Sequence, residues 1–259
     1  MCKWRFPLSV VCWKWGTLYG PEYVNRLRAM LDRHLHIPHQ LYCITEDPTG
    51  IDYRTLHVPM FEETFPGMTS PSGKRANFRR LQLFNPELAC IWGPRVLQLD
   101  LDIVITGDVT PLFSRTEPLL AFDQRHTPPQ YAKPVGGWKN IPKFNPSMIL
   151  MDTGVLGHLW TEFAADPAGV WEKVRLARIG DGNNSDQAVF GYYAIPLNPV
   201  RWGPADGVWP FYKVKVDGSS RGNALPDDCR AVLFFGPDRQ DDPKVQQDYP
   251  WIREHWLER

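Results

Sequence analysis

Val96-Leu97-Gln98-Leu99-Asp100-Leu101-Asp102-Ile103-Val104-Ile105 is the strongest strand signal in the chain. Side chains alternate along a strand, so Gln98, Asp100 and Asp102 are expected on one face, with Leu97, Leu99, Leu101 and Ile103 on the other. Two carboxylates two residues apart in an apolar strand repel each other and lose hydration, so they need a cation or several donors. Oxygen ligands favour a hard divalent ion, Mg²⁺ or Mn²⁺, with its remaining positions open to a diphosphate. The competing reading has both aspartates ending the strand on arginine and backbone amides. Their place at the end of a buried strand, just before Gly107-Asp108, favours the metal.

The flanking pattern is α/β. Leu8 to Trp13 reads as a buried strand, followed by a turn at Gly16 to Gly20 and a helix from Pro21 to Leu35. Tyr23, Val24, Leu27, Met30, Leu31 and Leu35 recur at helical spacing, and Pro21 suits a first turn. A second strand, Gln40 to Thr45, ends in the acidic turn Glu46-Asp47-Pro48-Thr49-Gly50. Strand, helix and strand in this order make a βαβ unit and imply a sheet with a parallel centre. Further strands are expected at 55–58, 119–122, 148–151, 193–197 and 231–235, and helices at 74–90, 157–165, 169–178 and 185–193. Loops are expected at 59–73, 123–146 and 199–228, and a terminal amphipathic helix at 251–257.

Composition narrows the function. The 259 residues carry 29 Lys plus Arg and 29 Asp plus Glu, a formal net charge of zero, which argues against a uniformly basic nucleic-acid binder. The 11 Trp and 25 Pro suit an aromatic pocket bordered by rigid loops, although aromatic cores are the commoner use of such residues. Five scattered cysteines with no Cys-x-x-Cys spacing suggest neither a disulfide framework nor a zinc cluster, and point to a reducing compartment. No apolar run reaches the ~20 residues of a membrane-spanning helix. The N-terminal residues are expected to lead into a strand and not to form a secretory segment.

Several segments, in order, resemble GT-A glycosyltransferases, specifically family 8-type enzymes and a related bacterial group. They are Trp13-Lys14-Trp15-Gly16 with Tyr19 to Leu27, Cys43 to Ile51, Phe78-Arg79-Arg80-Leu81-Gln82-Leu83-Phe84, and Leu97 to Asp108 continuing to Pro111-Leu112-Phe113. Asn145-Pro146-Ser147-Met148 and Ser185-Asp186-Gln187 complete the series. The likeness runs from about residue 8 to residue 240. It implies a GT-A-like (Rossmann-like) α/β fold with a mixed, mostly parallel central sheet flanked by helices. It also implies one domain: a nucleotide-binding half over 8–122, a sugar and acceptor half over 123–240, and a tail helix in 241–259.

The same resemblance implies a hexosyltransferase using a nucleotide-sugar, most often a UDP-sugar, and Mn²⁺ or Mg²⁺ held by Asp100 and Asp102. The acceptor would be a glycan or lipid-linked saccharide, and the outcome retaining. Asp100 would also reach the ribose, Asp47 or Glu46 the base, and Arg80 the donor phosphate or sugar. Asn145, Asp186 and Gln187 would line the sugar and reaction centre. Among the residues themselves, Lys74 and Lys213 could meet the phosphates, and Trp13 or Trp15, flanking the donor-binding candidate Lys14, could stack on the base. A cytoplasmic location follows, at most peripheral at the inner face of the membrane. One departure stands out: the family's third metal ligand, a histidine, is replaced by Phe235, leaving Asp238 or water as substitutes. That departure keeps open a catalytically silent sugar- or nucleotide-binding protein. A sugar nucleotidyltransferase would instead favour a glycine-rich loop where Trp13-Lys14-Trp15-Gly16 stands.

Overall fold

The computed structural model describes residues 6–60, 78–123, 144–177, 186–218, 223–234 and 237–258. Its strands are β1 (Leu8–Lys14), β2 (His39–Thr45), β3 (Leu56–Pro59), β4 (Arg95–Leu99), β5 (Ile103–Ile105), β6 (Leu119–Asp123), β7 (Phe144–Asp152), β8 (Val200–Trp202), β9 (Val208–Pro210) and β10 (Ala231–Leu233). The helices are α1 (Pro21–His34), α2 (Ala89–Trp92), α3 (Thr110–Phe113), α4 (Gly157–Ala165), α5 (Pro167–Ala177), α6 (Asp186–Ala194), α7 (Phe211–Gly218), α8 (Pro243–Asp248) and α9 (Trp251–His255). A mostly parallel seven-stranded sheet has the order β3-β2-β1-β4-β7-β6-β8, and a small sheet has the order β5-β10-β9. The chain divides into two compact units: residues 9–60, 98–116 and 202–259 form one, and residues 1–8, 61–97 and 117–201 the other.

In the first of these units β1 is buried along its whole length, as a central strand covered on both faces must be. Helix α1 starts at Pro21, whose missing N–H costs nothing in a first turn, and it buries Tyr23, Val24, Leu27, Met30 and Leu31. Each of these side chains contributes about 1.5–3 kcal/mol by leaving water. Strand β2 pairs in parallel with β3, Tyr42 opposite Leu56. Strands β1 and β2, joined through α1, are neighbours in the sheet, in the strand-helix-strand order expected.

In the second unit Phe78 to Phe84 forms a 3-10 helix, and Pro86 to Leu88 a further 3-10 turn. A continuous α-helix over 74–90 is thus not what forms among its described residues, 78–90. Pro86 disfavours helical geometry at Asn85, and the Asn85 side chain instead caps the next turn by accepting from Glu87 N. Residues three apart eclipse in a 3-10 helix, so Phe78, Leu81 and Phe84 share an edge. That edge is buried, with Phe78 against Phe163 of α4 and Phe84 stacked on Phe190 of α6.

Three further expectations change. The run 96–105 is not one strand: β4 ends at Leu99 and β5 begins at Ile103, in a different sheet. A strand at 193–197 is replaced by the end of α6 and a 3-10 turn over Ile195–Leu197, because α6 is buried nearly all round and shows no diagnostic period. The loop at 199–228 contains β8, β9 and α7. Cys90 is disulfide-bonded, against the expectation of reduced thiols throughout, while Cys12, Cys43 and Cys229 are free. No helix among the described residues is long and apolar enough to cross a membrane.

Candidate functional site

The acidic pair lies in the bend between β4 and β5, not inside a strand. Leu101 is buried while Asp100 and Asp102 are partly exposed, so the inside-outside alternation survives although regular pairing does not. The physical reason is hydration: a bend lets both carboxylates keep water that a doubly covered strand would strip away. The backbone of the bend is pinned. Phe234 N donates to Asp102 O at 2.9 Å, and the buried Gln240 donates through Nε2 to Leu101 O at 2.9 Å. Tyr19 Oη donates to Asp102 Oδ2 at 3.2 Å. Burial first, then the charges of Asp102 and Asp100, push the Tyr19 phenol well above its ordinary range, which keeps it a neutral donor.

Lys14 ends β1 and is buried, with Nζ donating to Asp47 O at 3.1 Å. A buried ammonium costs on the order of several kcal/mol unless an anion or several acceptors receive it. Asp47 offers Lys14 its carbonyl, while its carboxylate accepts from Thr49 N at 2.9 Å. The Thr49 hydroxyl and amide hold the exposed Asp47 carboxyl below the usual carboxylate range. Gly16 turns the chain after β1 at φ +60° and donates its N–H to Glu46 Oε1 at 2.6 Å. Trp13 is buried, and its Nε1 has no hydrogen-bond partner among the described residues.

Four further expected residues gather in the other unit, around the start of β7. Asn145 pairs with Phe122, but the next registered pair is Ala121 with Ile149, so Pro146 to Met148 bulge from the ladder. A bulge is where a sheet tolerates proline. Asn145 is buried and accepts from Ser147 N at 2.8 Å, which fixes the bulge. Gln187 Nε2 donates to Phe144 O at 3.1 Å, and Arg80 Nη2 donates to Pro146 O at 3.1 Å. Arg80 Nε lies 3.2 Å from Asp186 Oδ2, with the two side chains only 11% and 9% exposed. Asp186 stands in the first turn of α6, where the helix dipole favours a carboxylate. Arg80, Asn145, Asp186 and Gln187, far apart in sequence, thus form one stapled cluster.

Lys213 is partly exposed on α7, and its neighbour Lys215 pairs with Asp238 at 3.0 Å. Asp238, the proposed substitute ligand, is therefore engaged by an ammonium. Phe235, Lys74 and Ser185 lie outside the described residues. Sequence reasoning missed Tyr19 as a donor to Asp102, together with Gln240. Both contacts join positions more than 80 residues apart, and no spacing rule reaches that far.

These features define a chain with the GT-A-type α/β glycosyltransferase fold. It is similar to the galactosyltransferase LgtC solved with donor and acceptor sugar analogs, at 12% identity and TM-score 0.56, over 95% of this chain and 96% of that one. An active-site mutant of LgtC, glutamine to glutamate, superposes with TM-score 0.61 at 12% identity over the same shares of the two chains. The glycosyltransferase GlyE of Streptococcus pneumoniae TIGR4 matches at 14% identity and TM-score 0.55, over 96% of this chain and 61% of that one. No family model and no curated protein matches the sequence.

Proposed function

We propose that the protein is a metal-dependent glycosyltransferase that moves a hexose from a UDP-sugar to a glycan or lipid-linked saccharide acceptor, with retention. The observation that carries this reading is the pinned Asp100-Leu101-Asp102 bend, with both carboxylates partly exposed, in a fold shared with glycosyltransferases. The donor set suits Mn²⁺ or Mg²⁺: such ions take one or two carboxylates and fill their remaining positions with phosphate oxygens and water. When bound, the ion would neutralise the negative charge that builds on the departing diphosphate.

The chain's own residues supply the rest. Lys14, a buried cation with a carbonyl for company, is suited to a donor anion or carbonyl at the end of β1. Asp186 is oriented by Arg80, and Gln187 by Phe144 O, so both present fixed polar groups to sugar hydroxyls. Gln187 is the candidate beside the anomeric carbon, a reading supported by the presence of an active-site glutamine in the similarly folded LgtC. Asp47 shapes its turn by accepting from Thr49 N, and its exposed carboxylate keeps further acceptor sites for the base. A lipid-linked acceptor would bring the protein to a membrane surface from the cytoplasmic side.

A silent sugar- or nucleotide-binding protein is the second reading. It draws on the absence, among the described residues, of any group of three His, Cys, Asp or Glu able to hold a metal. Titration calorimetry with UDP and Mn²⁺ separates the two. Metal-dependent UDP binding that disappears in Asp102→Asn, with slow hydrolysis of one member of a donor panel, is the expected result. Metal-independent binding with no turnover of any donor favours the silent protein.

A further inference from the structure

We propose that Tyr19 is a positioning residue for Asp102, and that Arg239 holds it in that role. The proposal rests on the metal-dependent transferase reading and adds two residues to it. An aspartate carboxylate turns readily about its last torsion, and a ligating carboxylate is fixed in place by hydrogen bonds from an outer shell. Tyr19 supplies one such bond, Oη to Asp102 Oδ2 at 3.2 Å. Its ring is held in turn. Tyr23 packs against it with centroids 4.8 Å apart, and the Arg239 guanidinium stands 5.1 Å from the Tyr19 ring centre.

Arg239 does more than cover the ring. It donates through Nη2 to Tyr23 Oη at 2.7 Å and to Leu18 O at 3.2 Å, and Asp241 anchors it at 2.9 Å. The residue between them, Gln240, is fully buried and grips Leu101 O, the carbonyl between the two acidic residues. One tripeptide, Arg239-Gln240-Asp241, therefore holds both the Tyr19 turn and the backbone of the acidic bend. A ring needed only for packing would not require its hydroxyl to meet a carboxylate. The O–H is the part that a positioning role uses and a packing role does not.

The experiment compares the full-length protein with Tyr19→Phe, Arg239→Lys and the double variant. Mn²⁺ is titrated at saturating UDP and followed by the electron paramagnetic resonance of free Mn²⁺. The far-ultraviolet circular dichroism spectrum and the melting temperature are recorded alongside. Tyr19→Phe is expected to weaken Mn²⁺ binding by roughly 10–100-fold, the usual effect of removing an outer-shell partner, with the circular dichroism spectrum and melting unchanged. Arg239→Lys, which keeps the charge but loses the planar fork, should weaken it less. The double variant should be no weaker than Tyr19→Phe alone, because both substitutions act through one hydroxyl. Wild-type Mn²⁺ affinity in Tyr19→Phe overturns the proposal and leaves the transferase reading standing. Should Tyr19→Phe not fold, wild-type affinity in Arg239→Lys overturns it equally. A wild-type protein that binds UDP but no Mn²⁺ overturns both the positioning role and the metal-dependent reading beneath it.

Discussion

Replacing Arg80 by methionine removes a guanidinium from one side of a nearly buried ion pair and keeps most of the side-chain volume. Asp186 then loses its partner at 3.2 Å, and Pro146 O loses a donor at 3.1 Å. Breaking a buried pair from one side costs about 3–5 kcal/mol, and the slight exposure here places the cost near the lower figure. The first turn of α6 returns about 0.5–1 kcal/mol to the Asp186 carboxylate. The net loss is therefore about 2–3 kcal/mol, or roughly 4–12 °C in melting temperature for a chain of this size. Urea unfolding followed by tryptophan fluorescence reads it directly. Asp186→Asn, tested alone and with Arg80→Met, completes a cycle whose double variant should lose at least ~1 kcal/mol less than the sum of the single losses. Single losses below ~0.5 kcal/mol, or strict additivity, would refute the claim that the pair holds this cluster together.

Lys14→Met should weaken UDP binding at least tenfold by calorimetry while leaving melting unchanged or raising it, because it removes a buried charge that a carbonyl satisfies only in part. A lower melting temperature with unchanged UDP affinity would make Lys14 structural. Burial pushes the Cys229 thiol up to about 11, and a hydrogen bond with Cys43, together with burial, raises that of Cys12. Iodoacetamide at pH 8 should therefore leave both unlabelled in the folded protein, and Cys90 should label only after reduction; rapid labelling of the half-buried Cys229 would contradict its raised pKa. Because the Cys229 pKa is raised on folding, its contribution to stability is complete below the ordinary thiol value and disappears as pH climbs through about 11. Melting measured from pH 8 to 11 should show that decline in wild type and less of it in Cys229→Ala.

The helices whose apolar residues keep a clear period were readable in advance: α1 begins at its expected proline, and α4 spans its expected residues. Elements lacking such a period were misread. Helix α6 is buried almost all round, so its continuation past Tyr193 looked like a strand. The segment from Phe78 has a real three-residue spacing that a 3-10 helix uses as well as an α-helix, and Pro86 settles between them. For the site, the acidic pair could be found because carboxylates among aliphatic residues are chemically conspicuous. Tyr19, Arg239 and Gln240 could not, since nothing about them is unusual until the chain folds.

Local chemistry along the chain was enough to assign a parallel α/β architecture, an acidic pair suited to a hard cation, and a neutral charge balance. Those properties follow from periodicity and residue type, which act over a few residues and need no partner. Folding settled the geometry: the acidic pair in a bend between two sheets, Asn145 at a bulge inside β7 instead of in a loop, and Arg80 committed to Asp186. Each of these depends on which distant segment closes against which. Tyr19 meets Asp102 across 83 residues, and a hydrogen bond at that separation is set by the packing of the elements between, not by the spacing of the two residues.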